Sequence, residues 1–385
     1  MVLRIARMVS QLNSLTLICI FLLTSVVSAF PPVRGVQENS WFPLAAIPTA
    51  RFELGAAVVN GKIYAIGGCA GVNKTTGNYT YLRVNEEYNP DTKQWTTKAD
   101  MPTPRSDFGL AVHQNKIYVF GGKSGSESVT GKTVFLKTTE VYDPATDTWE
   151  RRSNMSTACI PSANAANGEI IVTSGLLNVN MAYDPAADSW TTKKPMPNRV
   201  DSSASAIYDG KIFFFGGSPL MGGISTNLVQ IYDPDTNTWK SGQPMPTPVT
   251  DACAGSTTGL IATERIYVFG GRVENFGLDL TQVYFPQNDS WRIGQSMPTP
   301  RFSLSVAAID DTLYAIGGIP KVPNLLPHVN TEMEQYTPFG YGTIPELSFC
   351  ALVLSFIIIT VLIFFIKKDF KALNKKMVFN FCLGH

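Results

Sequence analysis

Three arginines, Arg51, Arg105 and Arg301, stand in one slot of a pattern that recurs about every fifty residues. Two positions on come Glu53 and Asp107, and another repeat carries Asp251 there. In a further repeat Arg199 and Asp201 flank the slot. A second set of positions, each directly after a glycine pair or its Ser-Gly stand-in, holds Cys69, Lys123, Leu176, Ser218, Arg272 and Ile319. A guanidinium grips a carboxylate bidentately and an ammonium acts as a point charge, so Arg51, Arg105, Lys123, Arg272 and Arg301 could hold acidic groups of a ligand. Glu53, Asp107 and Asp251 would alternate with them and could carry protons. The structural reading is that the arginines pair with Glu53 and Asp107 and brace adjacent units. Replacing Arg105 by alanine separates the two, since only bracing makes it a stability residue.

Other chemistries lack their parts. His113, His328 and His385 form no metal-ligand pair and no Cys-x-x-Cys occurs, so no metal is expected. Nucleophile-elbow, P-loop and dinucleotide signatures are missing too; no cofactor and no catalytic residue are expected. The chain is +1 overall, but with the leader at +2 and the tail at +4, residues 30–366 carry −5. A mildly acidic body without a basic stripe argues against nucleic acid as partner. Cys69, Cys159 and Cys253 fall in three different repeats, an odd set that makes no disulfide framework, although a Cys159–Cys253 bridge is open.

The repeat that must position these charges runs most fully from Met101 to Trp149. Its glycine pairs are Gly67-Gly68, Gly121-Gly122, Gly216-Gly217, Gly270-Gly271 and Gly317-Gly318, with Ser174-Gly175 standing in once. Tyr88, Tyr142, Tyr183, Tyr232 and Tyr284 are each followed by a tryptophan, the last being Trp291, across a turn such as Asp143-Pro144. Segments such as Lys116-Ile117-Tyr118-Val119-Phe120 are β-branched and aromatic and stop at glycine, as strands do. Small-residue segments such as Ser162-Ala163-Asn164-Ala165-Ala166 precede them and suit an innermost strand crowding a channel. Four strands per unit follow, stacked radially so that edges stay short and protected. Tyr336 has no tryptophan after it, whereas Trp41 stands alone at the front. The N-terminal strand is therefore expected to complete the last unit and close a ring of six.

This pattern resembles the kelch repeat of β-propellers over roughly residues 40 to 338. The resemblance implies an all-β, six-bladed propeller of four-stranded blades spanning 30–338. It also implies that the slot loops, with the residues after Gly-Gly, line a ligand pocket. Some kelch-like propellers are copper radical oxidases, whose two histidines and Tyr-Cys pair this chain does not supply. The cytosolic adaptor domains of many kelch proteins are also missing. The function expected is non-catalytic binding of a protein or glycan partner by the loop face. The alternative is an exported sugar-epimerising enzyme resembling a sialic acid mutarotase, with Glu53, Asp107 and Arg105 as acid, base and carboxylate holder.

The chain ends suggest where this happens. Arg4 and Arg7, an apolar run and Val27-Ser28-Ala29 read as a signal peptide over 1–29, an uncleaved anchor being the other choice. Residues 339–346 read as a linker, and 347–366 as an uncharged apolar helix long enough to cross a ~30 Å hydrocarbon core. The lysine-rich 367–385 favours a cytoplasmic tail and an extracellular propeller. The same end is similar to prokaryotic C-terminal sorting signals, so processing of the span is a second expectation. Sequons at Asn73, Asn78, Asn154 and Asn288 would be glycosylated in a host that does so.

Overall fold

Each repeat folds into one four-stranded antiparallel sheet, and there are six. The computed structural model describes residues 37–73, 78–125, 134–220, 223–320 and 329–342. Blade 2 is representative, with strands Gly109–His113, Lys116–Phe120, Thr139–Asp143 and Thr148–Arg152 running from the axis outward. The second strand, Ile-Tyr-Val-Phe, is wholly buried because both its faces meet neighbouring blades. The innermost strands, among them Gly55–Val59, Ser162–Ala166 and Cys253–Ser256, keep small side chains and surround an axial cavity of about 380 Å³. Larger residues there would fill it.

Ring closure follows the expectation. The sixth blade takes Ser305–Ile309, Thr312–Ile316 and Met333–Thr337 from the C-terminal end and Ser40–Pro43 from the N-terminal end, with Trp41 opposite Tyr336. Trp41 packs edge-on against Phe269 of blade 5 at 5.0 Å between ring centroids.

The Tyr and Trp signature laces the outer edge. The Tyr142 hydroxyl donates to Asp147 Oδ1 at 2.6 Å, and the same oxygen accepts the Ala99 N–H of blade 1 at 2.8 Å. Trp149 Nε1 donates to the Ala99 carbonyl at 2.8 Å. Tyr183 with Asp188 and Trp190 repeats this onto Ser153. Tyr336, Asn39 and Trp41 do so onto Gln295, with Asn39 donated by the chain's other end. Asp147, Asp188 and Asn39 all sit in left-handed backbone (φ 53°, 48° and 51°), which aspartate and asparagine tolerate best among residues with a Cβ.

The stretch from 339, read as a linker, begins as part of the propeller. Phe339 is buried against blades 5 and 6, its carbonyl accepts from Arg265 at 2.9 Å, and Arg292 lies 4.2 Å over its ring. Cys69, Cys159 and Cys253 are all buried and free, so the Cys159–Cys253 bridge is not made. The leader 1–29, the apolar run 347–366 and the tail 367–385 lie outside the described residues. Among the described residues no helix is long and apolar enough to cross a membrane.

Trp41→Ala removes one inter-blade hydrogen bond and the aromatic contact that closes the ring. It should lower unfolding free energy by about 3 kcal/mol in urea denaturation, with the slope unchanged because the ring unfolds as a unit.

Candidate functional site

Arg51, Arg105 and Arg301 do not reach the channel mouth. All three are fully buried, and their partners are glutamates on the third strand of their own blade. Arg51 pairs with Glu86 at 2.7 Å, Arg105 with Glu140 at 2.7 Å and Arg301 with Glu334 at 2.8 Å. Other guanidinium protons go to backbone carbonyls, as Arg105 donates to Gly121 at 2.9 Å and Thr138 at 3.1 Å, whereas Arg51 Nε and Arg301 Nε are buried without a partner. The other glutamate oxygen accepts from a threonine two residues before the arginine, as Thr103 to Glu140 at 2.6 Å. The expected bracing partners Glu53 and Asp107 are elsewhere, and the bracing runs within a blade.

The remaining blades make the same joint without charge. The slot holds Cys159, Val200 and Val249, and the position facing it holds Met181, Gln230 and Gln282. Gln282 bonds Thr247 reciprocally, accepting its N–H at 2.9 Å and donating to its carbonyl at 3.1 Å. Arginine thus occurs with glutamate and an apolar slot with a neutral partner, because either half of the ion pair buried alone would be strongly unfavourable.

The other five expected residues do meet at one mouth of the channel. Lys123 Nζ lies 3.1 Å from Glu53 Oε1 and 3.0 Å from Asp107 Oδ2. Ser106 Oγ donates to the second Glu53 oxygen at 2.7 Å. On blade 5, Arg272 pairs with Asp251, donates to the Glu274 carbonyl at 2.6 Å and lies 5.6 Å over the Phe302 ring. The residue after Gly-Gly reaches this site because it bridges the residue after the arginine slot, as Ser106 with Lys123 and Thr250 with Arg272. Asp201, which bridges Ser218 in blade 4, is buried in the same rim.

A backbone belt holds the rim. Glu53, Asp107, Ser202, Asp251 and Ser303 occupy equivalent positions, all with φ between 52° and 55°. In four of them the left-handed backbone turns the N–H onto the carbonyl of the same position in the preceding blade. Asp107 donates to Glu53 at 3.0 Å, Glu53 to Ser303 at 2.9 Å, Ser303 to Asp251 at 2.8 Å and Asp251 to Ser202 at 3.0 Å. The sixth position is Pro161, which has no N–H to donate. Glu53, Asp107 and Asp251 were expected for their charge. Their backbone role, and Ser202 and Ser303 with it, leaves no signature in residue type.

Burial, then the nearby Asp107 charge, pushes the Glu53 carboxyl up to about 7 against the pull of Lys123 and Ser106. Burial, with Asp107 and Asp251 nearby, pushes Asp201 up to about 6. Burial opposes the Lys123 ammonium, but Asp107 and Glu53 outweigh it and hold its pKa above the usual lysine range. Among the described residues no group of three or more histidine, cysteine or acidic side chains is placed to hold a metal ion. Of the sequons, Asn73, Asn154 and Asn288 are exposed and Asn78 is half-buried.

A profile of the kelch motif matches residues 50–102 and 104–156, and the KLHDC2/KLHL20/DRC7 Kelch-repeats domain matches residues 174–318. These are kelch repeats. The propeller is 29% identical over 212 residues to Kelch-like protein terF of Aspergillus terreus, covering 51% of this chain and 45% of that protein. It is 28% identical over 142 residues to Beta-scruin of Limulus polyphemus, covering 37% and 15%. To the human Influenza virus NS1A-binding protein it is 40% identical over 83 residues, covering 22% and 12%. The chain therefore spans less than half the length of each of these relatives. The solved structure of YjhT shares the fold, with a TM-score of 0.61, 17% identity and coverage of 75% of this chain and 95% of that one.

Two outcomes test the placement of these charges. Arg105→Val should lose about 3–5 kcal/mol in chemical denaturation, since it strands Glu140, and adding Glu140→Gln should recover most of it by copying the Val249–Gln282 joint. The folded Glu53 carboxyl keeps its proton to about 7 against an ordinary value of 4.5, so rising pH between these values removes stability. Glu53→Gln should then gain on the native chain by roughly 1–3 kcal/mol from about pH 4.5 to about pH 8.

Proposed function

We propose that this kelch propeller is a non-catalytic interaction module that binds a protein partner through its loop face at the cell surface. The leader would export it and the apolar run 347–366 would hold it in the membrane, with the tail inside. The observation that carries the binding reading is where seven of the ten exposed large apolar side chains of the described residues lie, Phe42, Leu260 and Ile293 being elsewhere. Leu177, Leu220, Ile224, Val273 and Phe276 are exposed on the loops that follow the glycine pairs in blades 3 to 5, and Tyr79 and Val134 on those of blades 1 and 2. These loops share one face with the charged mouth, and bulky apolar groups gathered on one face of a soluble domain mark a contact surface. The relative named for binding influenza virus NS1A carries the same repeats, which supports a protein partner.

The reading as a sugar-epimerising enzyme rests on Glu53 and Asp107 flanking Lys123. It also needs Arg105 for a sugar carboxylate, and Arg105 is enclosed with Glu140. A glycan partner would have to be held by the rim without that arginine.

Surface location is checked by treating intact host cells with an impermeant amine label: the full-length chain should be labelled before permeabilisation, and labelling only afterwards would overturn the location. For binding, Leu220→Ser with Phe276→Ser should leave the thermal midpoint nearly unchanged, since both side chains are exposed. Cross-linking to surface proteins should fall at least about ten-fold, the effect expected for two central apolar contacts. Neutral and acidic sugars should show no accelerated anomer exchange with the chain.

A further inference from the structure

The charged rim and the apolar loops meet at blades 4 and 5. Asp201 and Ser218 bond reciprocally through their backbones, at 2.7 and 2.9 Å, and the Ser218 hydroxyl donates to the Leu220 carbonyl at 2.6 Å. Asp201 therefore sits at the base of the loop that carries Leu220 and Ile224, which are 71% and 89% exposed. The neighbouring hairpin pairs Arg272 with Gly277 and Val273 with Phe276, and Ser225 Oγ donates to the Arg272 carbonyl at 3.1 Å. That bond joins the two loops, one carrying the exposed Leu220 and Ile224 and the other the exposed Val273 and Phe276.

The rim beside those loops has an excess of carboxylate. Glu53, Asp107, Asp201 and Asp251 face Lys123 and Arg272. Lys123 is shared by Glu53 and Asp107, and Arg272 is taken by Asp251. Asp201 is 9% exposed and has no ion pair among the described residues; Asp107 and Asp251 repel its charge, and the one nearby cation, Lys123, is already shared by Glu53 and Asp107 and acts on it only through space. Arg199, two residues before it, is exposed and donates one N–H to the Leu176 carbonyl of blade 3. Glu274, on the Val273–Phe276 turn, adds a further exposed negative charge. A carboxylate held away from water beside two others is stabilised by a cation brought to it, and a basic side chain from a partner supplies one as a charge-assisted hydrogen bond.

We propose that the loop face of blades 4 and 5 receives a partner segment in which apolar side chains flank a lysine or arginine, the apolar groups lying on Leu220, Ile224 and Phe276 and the basic group entering the rim at Asp201. This rests on the loop face being the binding surface, and it adds the chemistry of what binds. No sequon falls on the post-glycine loops of blades 4 and 5: Asn73 and Asn78 lie on the blade 1 loop, Asn154 beyond the outer strand of blade 2, and Asn288 in a hairpin turn at the opposite end of blade 5.

The test uses the purified full-length chain and two fluorescein-labelled nonapeptides, Gly-Ser-Leu-Phe-X-Leu-Phe-Ser-Gly, with X lysine or glutamate, read by fluorescence polarisation. The lysine peptide should bind at least about ten-fold more tightly than the glutamate peptide, as for one desolvated charge pair. Asp201→Asn should erase that preference while leaving apolar binding, and Ile224→Ser, at a fully exposed position, should weaken both peptides. Equal binding of the two peptides, a preference for glutamate, a preference surviving Asp201→Asn, or no binding of either overturns the basic-segment proposal. If the peptides fail while cross-linking on cells still depends on Leu220 and Phe276, the loop face stands as the binding surface and only its partner chemistry falls. If both fail, the loop-face reading falls as well.

Discussion

The ring depends on one close approach repeated between blades. The carbonyl of the slot residue in each blade must come within hydrogen-bonding distance of the glycine pair of the blade before it. Gly68 donates to Arg105 at 2.9 Å, Gly122 to Cys159 at 2.9 Å, Gly217 to Val249 at 2.8 Å, Gly271 to Arg301 at 3.1 Å, and Gly318 back to Arg51 at 3.0 Å. A Cβ on Gly121 would lie 2.6 Å from the Cys159 carbonyl oxygen, so only glycine lets the two backbones meet. The slot residue is thus tied by its backbone to one neighbour. Its side chain is consequently free only to satisfy its own blade, by an ion pair in blades 1, 2 and 6 or by apolar packing in blades 3, 4 and 5.

Three concentric joints follow from that contact. At the outer edge a tryptophan bonds each blade to the one before it, joined in blades 2 to 6 by a tyrosine with an aspartate or asparagine. In the middle, the slot residue and its third-strand partner close the gap where two strands diverge. Around the mouth, left-handed residues pass hydrogen bonds from blade to blade, with the run interrupted at Pro161. A scaffold secured at three radii leaves the loops after the glycine pairs free to vary without unfolding the ring. Those loops carry most of the exposed apolar residues, and a rigid framework with variable loops is the usual division of labour between stability and recognition.

The carboxylate-rich rim departs from this economy. Asp201 and Glu53 are held where burial and like charge raise their pKa values against the pull of Lys123. The rim lies where the variable loops begin, so the electrostatic strain and the exposed apolar surface share one location.

The sequence alone determined the architecture. Repeating Gly-Gly, Tyr and Trp, small-residue inner strands and the displaced Trp41 state the blade, the blade number and the closure, because each records a local backbone demand or a periodic burial pattern visible without neighbours. Residues such as Lys123, Glu53 and Asp107 were also legible as one site, since equivalent repeat positions must lie on one ring. Tertiary structure decided the fate of Arg51, Arg105 and Arg301, which share that ring position in sequence yet turn inward. Their partners Glu86, Glu140 and Glu334 lie 33 to 35 residues away on the third strand, and only strand pairing brings them together. The recurrence of arginine with glutamate within single repeats carried that signal, but reading it required the register. Which carboxylates the rim shares, and which apolar loops stand beside them, depended likewise on blade stacking, because the charges and side chains that meet there come from different repeats.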